Sequence, residues 1–265
     1  LNITGGSFAN LEPLRGKHLT SLDVCENPNF RDIGALTDSS KLGQCFLIGT
    51  AVSDLTPLAG HKRLRSVIVE GGNVTDLTPL KGLDELQYMT CSQVPISDLT
   101  PLSNLASLED LRVGYTGVVD LKPIAGLNLR HIYIAGTKIF DLVPLSGMTE
   151  LSHLAANHSL VKDLSPLSGL KNLRYVDLEN TQVEHINPLR GLNPRVLRLA
   201  GTRVSDLSPI ANMTNLIDLS IGHSAVTDLT PIADLESIQT LWAGGMRASD
   251  VSPLADAPLR ELYLD

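Results

Sequence analysis

Cysteine is sparse in this 265-residue chain: Cys25, Cys45 and Cys91 stand far apart, with no C-x-x-C pair. An odd, widely spaced set is neither a disulfide framework nor a zinc site. Long apolar runs are missing as well. No stretch reaches the roughly 18 residues that a membrane-spanning helix needs. There is no P-loop and no G-x-G-x-x-G, so the common nucleotide-binding signatures are absent. Basic charge is in deficit, with 21 Lys and Arg against 29 Asp and Glu, a net charge of −8. Ten of those acids recur at one place in a repeated phrase, and the remaining 19 nearly balance the 21 bases. The acidity is thus a by-product of the repeat, and nothing basic enough for nucleic acid remains. Aromatics are few: four Phe, five Tyr and one Trp.

What the chain has in abundance is one phrase. "VSDLTPLAG" at 52–60 returns as "VTDLTPLKG" at 74, "ISDLTPLSN" at 96, "VSDLSPIAN" at 204 and "VTDLTPIAD" at 226. Its prolines stand at 57, 79, 101, 123, 144, 166, 188, 209, 231 and 253, at intervals of 21 or 22. Stepping back by 22 reaches Ala35 and then Pro13, which makes twelve units in phase. Between phrases runs a second pattern, as in "LRSVIVEGGNV" at 64–74 and "LEDLRVGYTGV" at 108–118. It reads L-x-x-L-x-L-x-x-N-x-L, with Thr or Ser usually in the Asn place: Thr50, Thr116, Thr137, Ser159, Thr181, Thr202 and Ser224. Asn27 alone keeps the Asn.

Period 22 with this wording resembles the leucine-rich repeat, and the D-L-x-P-L arm resembles the internalin type of bacterial surface protein. The resemblance covers essentially the whole chain. The expected fold is an α/β solenoid: a right-handed leucine-rich repeat superhelix with a parallel β-sheet on its concave face. Short 3₁₀ or turn segments are expected on the convex face. Residues 1–265 read as one domain of about twelve repeats, excised from a longer protein.

Elementary physics leads to the same place. The x-L-x-L core alternates with period 2 and predicts a short strand. One coil cannot bury its two inward residues alone, so coils stack and their strands pair in parallel. Thirteen such strands are expected. Cys45 and Cys91 fall on inward positions, where a thiol acts as a small hydrophobe. Each Asp of the phrase is placed to accept backbone N–H bonds in a turn. The Ser, Thr or Asn before proline suits a helix N-cap followed by Pro at the first helical position. Leu1 and Ile3 already form an inward pair, as do Leu262 and Leu264, so caps or flanking domains are expected at both ends.

Numbering each unit from its first Leu, positions 4 and 6 point inward. Positions 3, 5, 7 and 8 face or rim the concave side. All five tyrosines, Tyr88, Tyr115, Tyr133, Tyr175 and Tyr263, fall on these positions, as do Trp242 and Phe46. Inward strand positions carry no aromatic. Strands favour aromatics in general, but that preference does not explain the one-sided placement. Tyr and Trp are the residues that anchor protein interfaces.

The candidate contact residues are Phe46, Tyr88, Arg112, Tyr115, His131, Tyr133, His153, Tyr175, Asp177, Arg198 and Trp242. His158 and Glu179 lie among them, with Gly49, Gly71, Gly136, Gly201 and Gly245 along the rim.

Two sharper readings are weaker. Asp110, His131 and His153 share a column, in the manner of a two-His-one-carboxylate metal site, but a flat ladder does not converge its side chains on a point. Ser92 and Cys25 point outward without a His in the same or next coil, so no nucleophile has a base.

The sequence therefore predicts a non-enzymatic module, without cofactor or metal, holding a protein on its concave face. No nucleic acid or membrane span is expected. The resemblance implies a bacterial surface or secreted adhesin. The alternative is a cytoplasmic sensor or scaffold array within a larger signalling or NTPase protein, and a metal-dependent enzyme is a distant third.

Overall fold

In every coil after the first the alternating x-L-x-L core forms a three-residue strand, and the arm behind it forms one turn of 3₁₀ helix. The computed structural model describes residues 1–264. It divides into two compact units, Leu1–Leu129 and Arg130–Asp265.

The first unit holds β1 (Ser21–Asp23), β2 (Gln44–Phe46), β3 (Ser66–Ile68), β4 (Tyr88–Thr90) and β5 (Asp110–Arg112). They pair in chain order, all parallel and with residues at equal repeat positions opposite one another, as Cys45 is opposite Val67. The second unit holds β6 (His131–Tyr133), β7 (His153–Ala155), β8 (Tyr175–Asp177), β9 (Val196–Arg198), β10 (Asp218–Ser220), β11 (Thr240–Trp242) and β12 (Glu261–Tyr263). These also pair in chain order and in parallel.

Twelve strands form among the described residues, one fewer than the repeat predicts. The first coil contributes only isolated bridges, Asn2 to Asp23 and Asn10 to Asp32, with Ile3 N–H donating to Asp23 O at 2.8 Å.

The core is aliphatic. Leu22, Cys45, Val67, Met89 and Leu111 line one inward column of the first unit, fully buried. Ile132, Leu154, Val176, Leu197, Leu219 and Leu241 do the same in the second. Burying each large apolar side chain contributes about 1.5–3 kcal/mol, and every coil supplies several. Phe30, outside the strands, is completely buried and meets Phe8 edge to face at 6.3 Å.

The arms behave as the Asp rule predicts. In all ten units with the Asp, its Oδ1 accepts the backbone N–H two residues on, as Thr56 N–H donates to Asp54 at 2.8 Å. The N-cap expectation needs correcting. The Ser or Thr before proline is already the first residue of the 3₁₀ turn, its N–H is the one being capped, and proline is the second. The Asp takes the capping role because its carboxylate is a stronger acceptor than a hydroxyl. One unit breaks the pattern: His185 stands in the Asp place, and no side chain caps the turn Asn187–Leu189.

At the far bend, each Thr or Ser donates its hydroxyl to the carbonyl three residues earlier, as Thr137 does to Ile134 at 2.6 Å. Those bonds stay within one coil. Coil-to-coil linkage at the bend comes instead from the backbone, as Gln182 N–H donates to Val161 O at 3.0 Å. Asn27 does both, donating to Val24 in its own coil and to Ile3 in the preceding one.

Candidate binding face

In-register parallel pairing turns each outward position into a column of side chains about 4.8 Å apart. In the first unit, Tyr88 and Tyr115 stand exposed and Phe46 is half-buried. Arg112 forks onto Asp110, with Nε to Oδ1 at 2.9 Å and Nη2 to Oδ2 at 3.1 Å. That pair satisfies a carboxylate that is otherwise buried. Asp110 is thus held by a guanidinium and is not presented as a metal ligand. Tyr115 adopts φ 55°, where Gly49, Gly71, Gly136, Gly201 and Gly245 stand in other coils. A non-glycine residue there costs roughly 1 kcal/mol, and the conformation throws the phenol outward to 56% exposure.

In the second unit the position-3 column makes an aromatic run. His131 meets His153 edge to face at 4.6 Å, and His153 lies nearly parallel to Tyr175 at 5.8 Å. The Arg198 guanidinium lies over the same tyrosine ring, 5.9 Å from its centroid. Tyr133 is half-buried in the neighbouring column.

Asp177 differs from the other predicted contact residues. It is buried, Oδ1 accepts Glu179 N–H at 3.1 Å, and Oδ2 accepts the Tyr175 hydroxyl at 3.3 Å. Burial raises its pKa above the ordinary carboxylate value, against the lowering effect of its backbone bond. Burial first, then the nearby carboxylate, pushes the Tyr175 phenol up to about 12. Asp177 positions the tyrosine rather than offering itself to a partner.

Further along, the face drops into a pit of about 490 Å³. Its floor follows from the sequence: Ala200, Gly222 and Gly244 occupy position 7 in three consecutive coils, with Ser220 at position 5 beside them. One wall is Trp242 stacked on Tyr263, with centroids 3.8 Å apart and planes 5° from parallel. The other wall is Glu179 and Arg198. His223 closes the side, lying across Gly245, where an added Cβ would strike its ring.

Glu179 reaches over the intervening coil, past Ala200, so that its Oε1 accepts the Ser220 hydroxyl at 2.7 Å. Arg198 approaches Asp218 at 3.8 Å. Asp218 has one carboxylate oxygen buried without a hydrogen bond, and burial raises its pKa.

Sequence reasoning singled out Arg198 and Trp242, with Glu179 among the candidate contacts. It passed over Ser220, His223 and Asp218. The signal was there in the run of small residues at position 7. Among the described residues, no group of three His, Cys, Asp or Glu could hold a metal ion, and no helix is long and apolar enough to cross a membrane.

No family model and no curated protein sequence matches the chain. Solved structures do. The internalin InlF of Listeria monocytogenes is 27% identical with a TM-score of 0.92, over 98% of this chain and 78% of that one. Internalin C2 of the same species is 28% identical with a TM-score of 0.65, over 79% of this chain and 83% of that one. A leucine-rich repeat protein of Leptospira interrogans shares the fold at 18% identity and a TM-score of 0.86, over 96% and 71%. In its 22-residue period, its D-L-x-P-L arms and its stacked parallel strands, the chain is an internalin-like leucine-rich repeat protein.

Proposed function

We propose that this protein is a recognition module that holds a protein partner on the face carrying its strands, without catalysis. The observation that carries this reading is the one-sided placement of the tyrosines and the tryptophan. Tyr88, Tyr115, Trp242 and Tyr263 are exposed on outward strand or rim positions, while the inward strand columns carry no aromatic. Large, stiff side chains on a hydrogen-bonded sheet lose little freedom on binding, which favours affinity. The face also mixes charge signs, with Arg174 and Arg195 along the strand entries and Glu179 and Asp218 beyond them. Such mixtures give specificity and orientation.

The likeness to internalins at 27–28% identity favours a bacterial surface or secreted setting over an intracellular sensor array.

The test pairs two variants. The chain is used to capture proteins from surface extracts of candidate host or neighbour cells, and the captured protein is then titrated. The double variant Tyr133→Ala, Tyr175→Ala should weaken binding by at least about tenfold, as loss of interface anchors does. Lys138→Ala, outside the strand face, should leave it unchanged. Equal loss from both, or loss from Lys138→Ala alone, sinks the proposal.

A further inference from the structure

Building on that reading, we infer that the pit between Glu179 and Trp242 receives an arginine side chain of the partner. Three independent features converge there.

The first is shape. Where three coils in succession carry Ala200, Gly222 and Gly244, the surface lacks side chains and leaves about 490 Å³ open. The depression is of the size that takes a specific ligand group.

The second is charge. Asp177, Glu179, Asp218 and Glu261 act on one another electrostatically, and Arg198 is the cation acting on this group. Arg198 is also committed, lying near Asp218 and over Tyr175. The Glu179 side chain uses Oε1 for Ser220 and makes no other hydrogen bond or ion pair among the described residues. Its remaining oxygen is an open acceptor at the wall of the pit. Asp218 does not line the pit but adds negative charge beside Arg198. A carboxylate oxygen with no protein donor is a ready partner for an incoming cation that can donate to it.

The third is the opposite wall. Trp242, held flat by Tyr263, presents an indole at 41% exposure. A guanidinium is planar, weakly hydrated and stacks on indole, while its fork matches a carboxylate. It can therefore lie on Trp242 and donate N–H bonds toward Glu179, which an ammonium satisfies less completely.

Trp242 is the only tryptophan, so its fluorescence reports on this pit alone. The experiment titrates the full chain with three short peptides, Gly-Arg-Gly, Gly-citrulline-Gly and Gly-Glu-Gly amides, at low salt. The arginine peptide should give a saturable change, and the uncharged isostere citrulline should bind at least about fivefold more weakly. Glu179→Gln, which keeps the Ser220 bond, should reduce arginine binding by a similar factor, and Ala200→Leu should abolish it by filling the floor.

Equal binding of citrulline, tighter binding of the glutamate peptide, or no saturable change overturns the inference. None of these outcomes bears on the tyrosine double variant. A partner lost through Tyr133 and Tyr175 but indifferent to Glu179→Gln would leave the recognition module standing and the arginine pit refuted.

Discussion

Trp242 lies face to face on Tyr263, with ring centroids 3.8 Å apart. The two are in-register partners on β11 and β12. Strands pair at about 4.8 Å, so leaning rings close to van der Waals contact and form a two-residue apolar wall. Stacking of this kind is worth about 0.5–1.5 kcal/mol beyond area burial. Tyr263→Ala should therefore lower stability by about 1 kcal/mol and shift Trp242 emission to longer wavelength, as the indole loses its cover. Urea unfolding followed by circular dichroism, with emission spectra of the native state, measures both. An unchanged spectrum would show that the stack does not persist in solution.

The arm of the β8–β9 unit lacks the Asp that caps its counterparts, having His185 instead. His185→Asp should restore an acceptor for Asn187 N–H and stabilise the protein by about 0.5–1 kcal/mol. Asp98→Ala, which removes the 2.8 Å bond from Thr100 N–H, should cost a similar amount. Opposite signs for the two substitutions in urea midpoints confirm the turn logic, and a destabilising His185→Asp would contradict it.

Acid should act on two sets of carboxylates in opposite directions. Asp54, Asp76, Asp98, Asp163 and Asp228 have pKa values held below the ordinary 3.8, chiefly by hydrogen bonds from the Ser or Thr two residues on. A depressed folded pKa gives stability that is present above about pH 3.8 and lost as pH falls through the folded values. Asp177 and Asp218 have pKa values raised by burial. Their ionised forms destabilise the fold at neutral pH, and that penalty disappears as pH falls through their folded values. Asp218→Asn should accordingly raise Tm at pH 7 and have little effect at pH 3, whereas Asp98→Ala should lower Tm at pH 7 by a margin that shrinks as pH falls below 3.8. A Tm series against pH for the two variants shows either this crossing or its absence.

The candidate face was legible to different depths. Tyr88, Tyr115, Tyr133, Tyr175 and Trp242 could be placed outward from the period alone, because a residue's position in a 22-residue repeat fixes which way it points. Asp177 could not be separated from them by that argument. It shares their outward register, yet hydrogen bonds to Tyr175 and Glu179 turn it into a buried support. The left-handed backbone of Tyr115, His158 and His223 was equally hidden. Only the glycines at the same position hinted that this step of the bend needs positive φ.

By itself, the sequence determined the coil. Period-2 alternation sets the inward aliphatic columns, Asp two residues ahead of the 3₁₀ turn sets the arm, and constant spacing sets the register. These are short-range rules repeated twelve times, so each copy reinforces the reading. The pit was decided only in three dimensions. Its depth depends on Ala200, Gly222 and Gly244 becoming neighbours. Its charge depends on Glu179 reaching Ser220, 41 residues away in sequence. Its wall depends on two aromatic rings 21 residues apart choosing to stack. Contacts of that range are set by stacking coils against one another, which brings distant residues within a few ångströms and lets their side chains settle the shape of the surface.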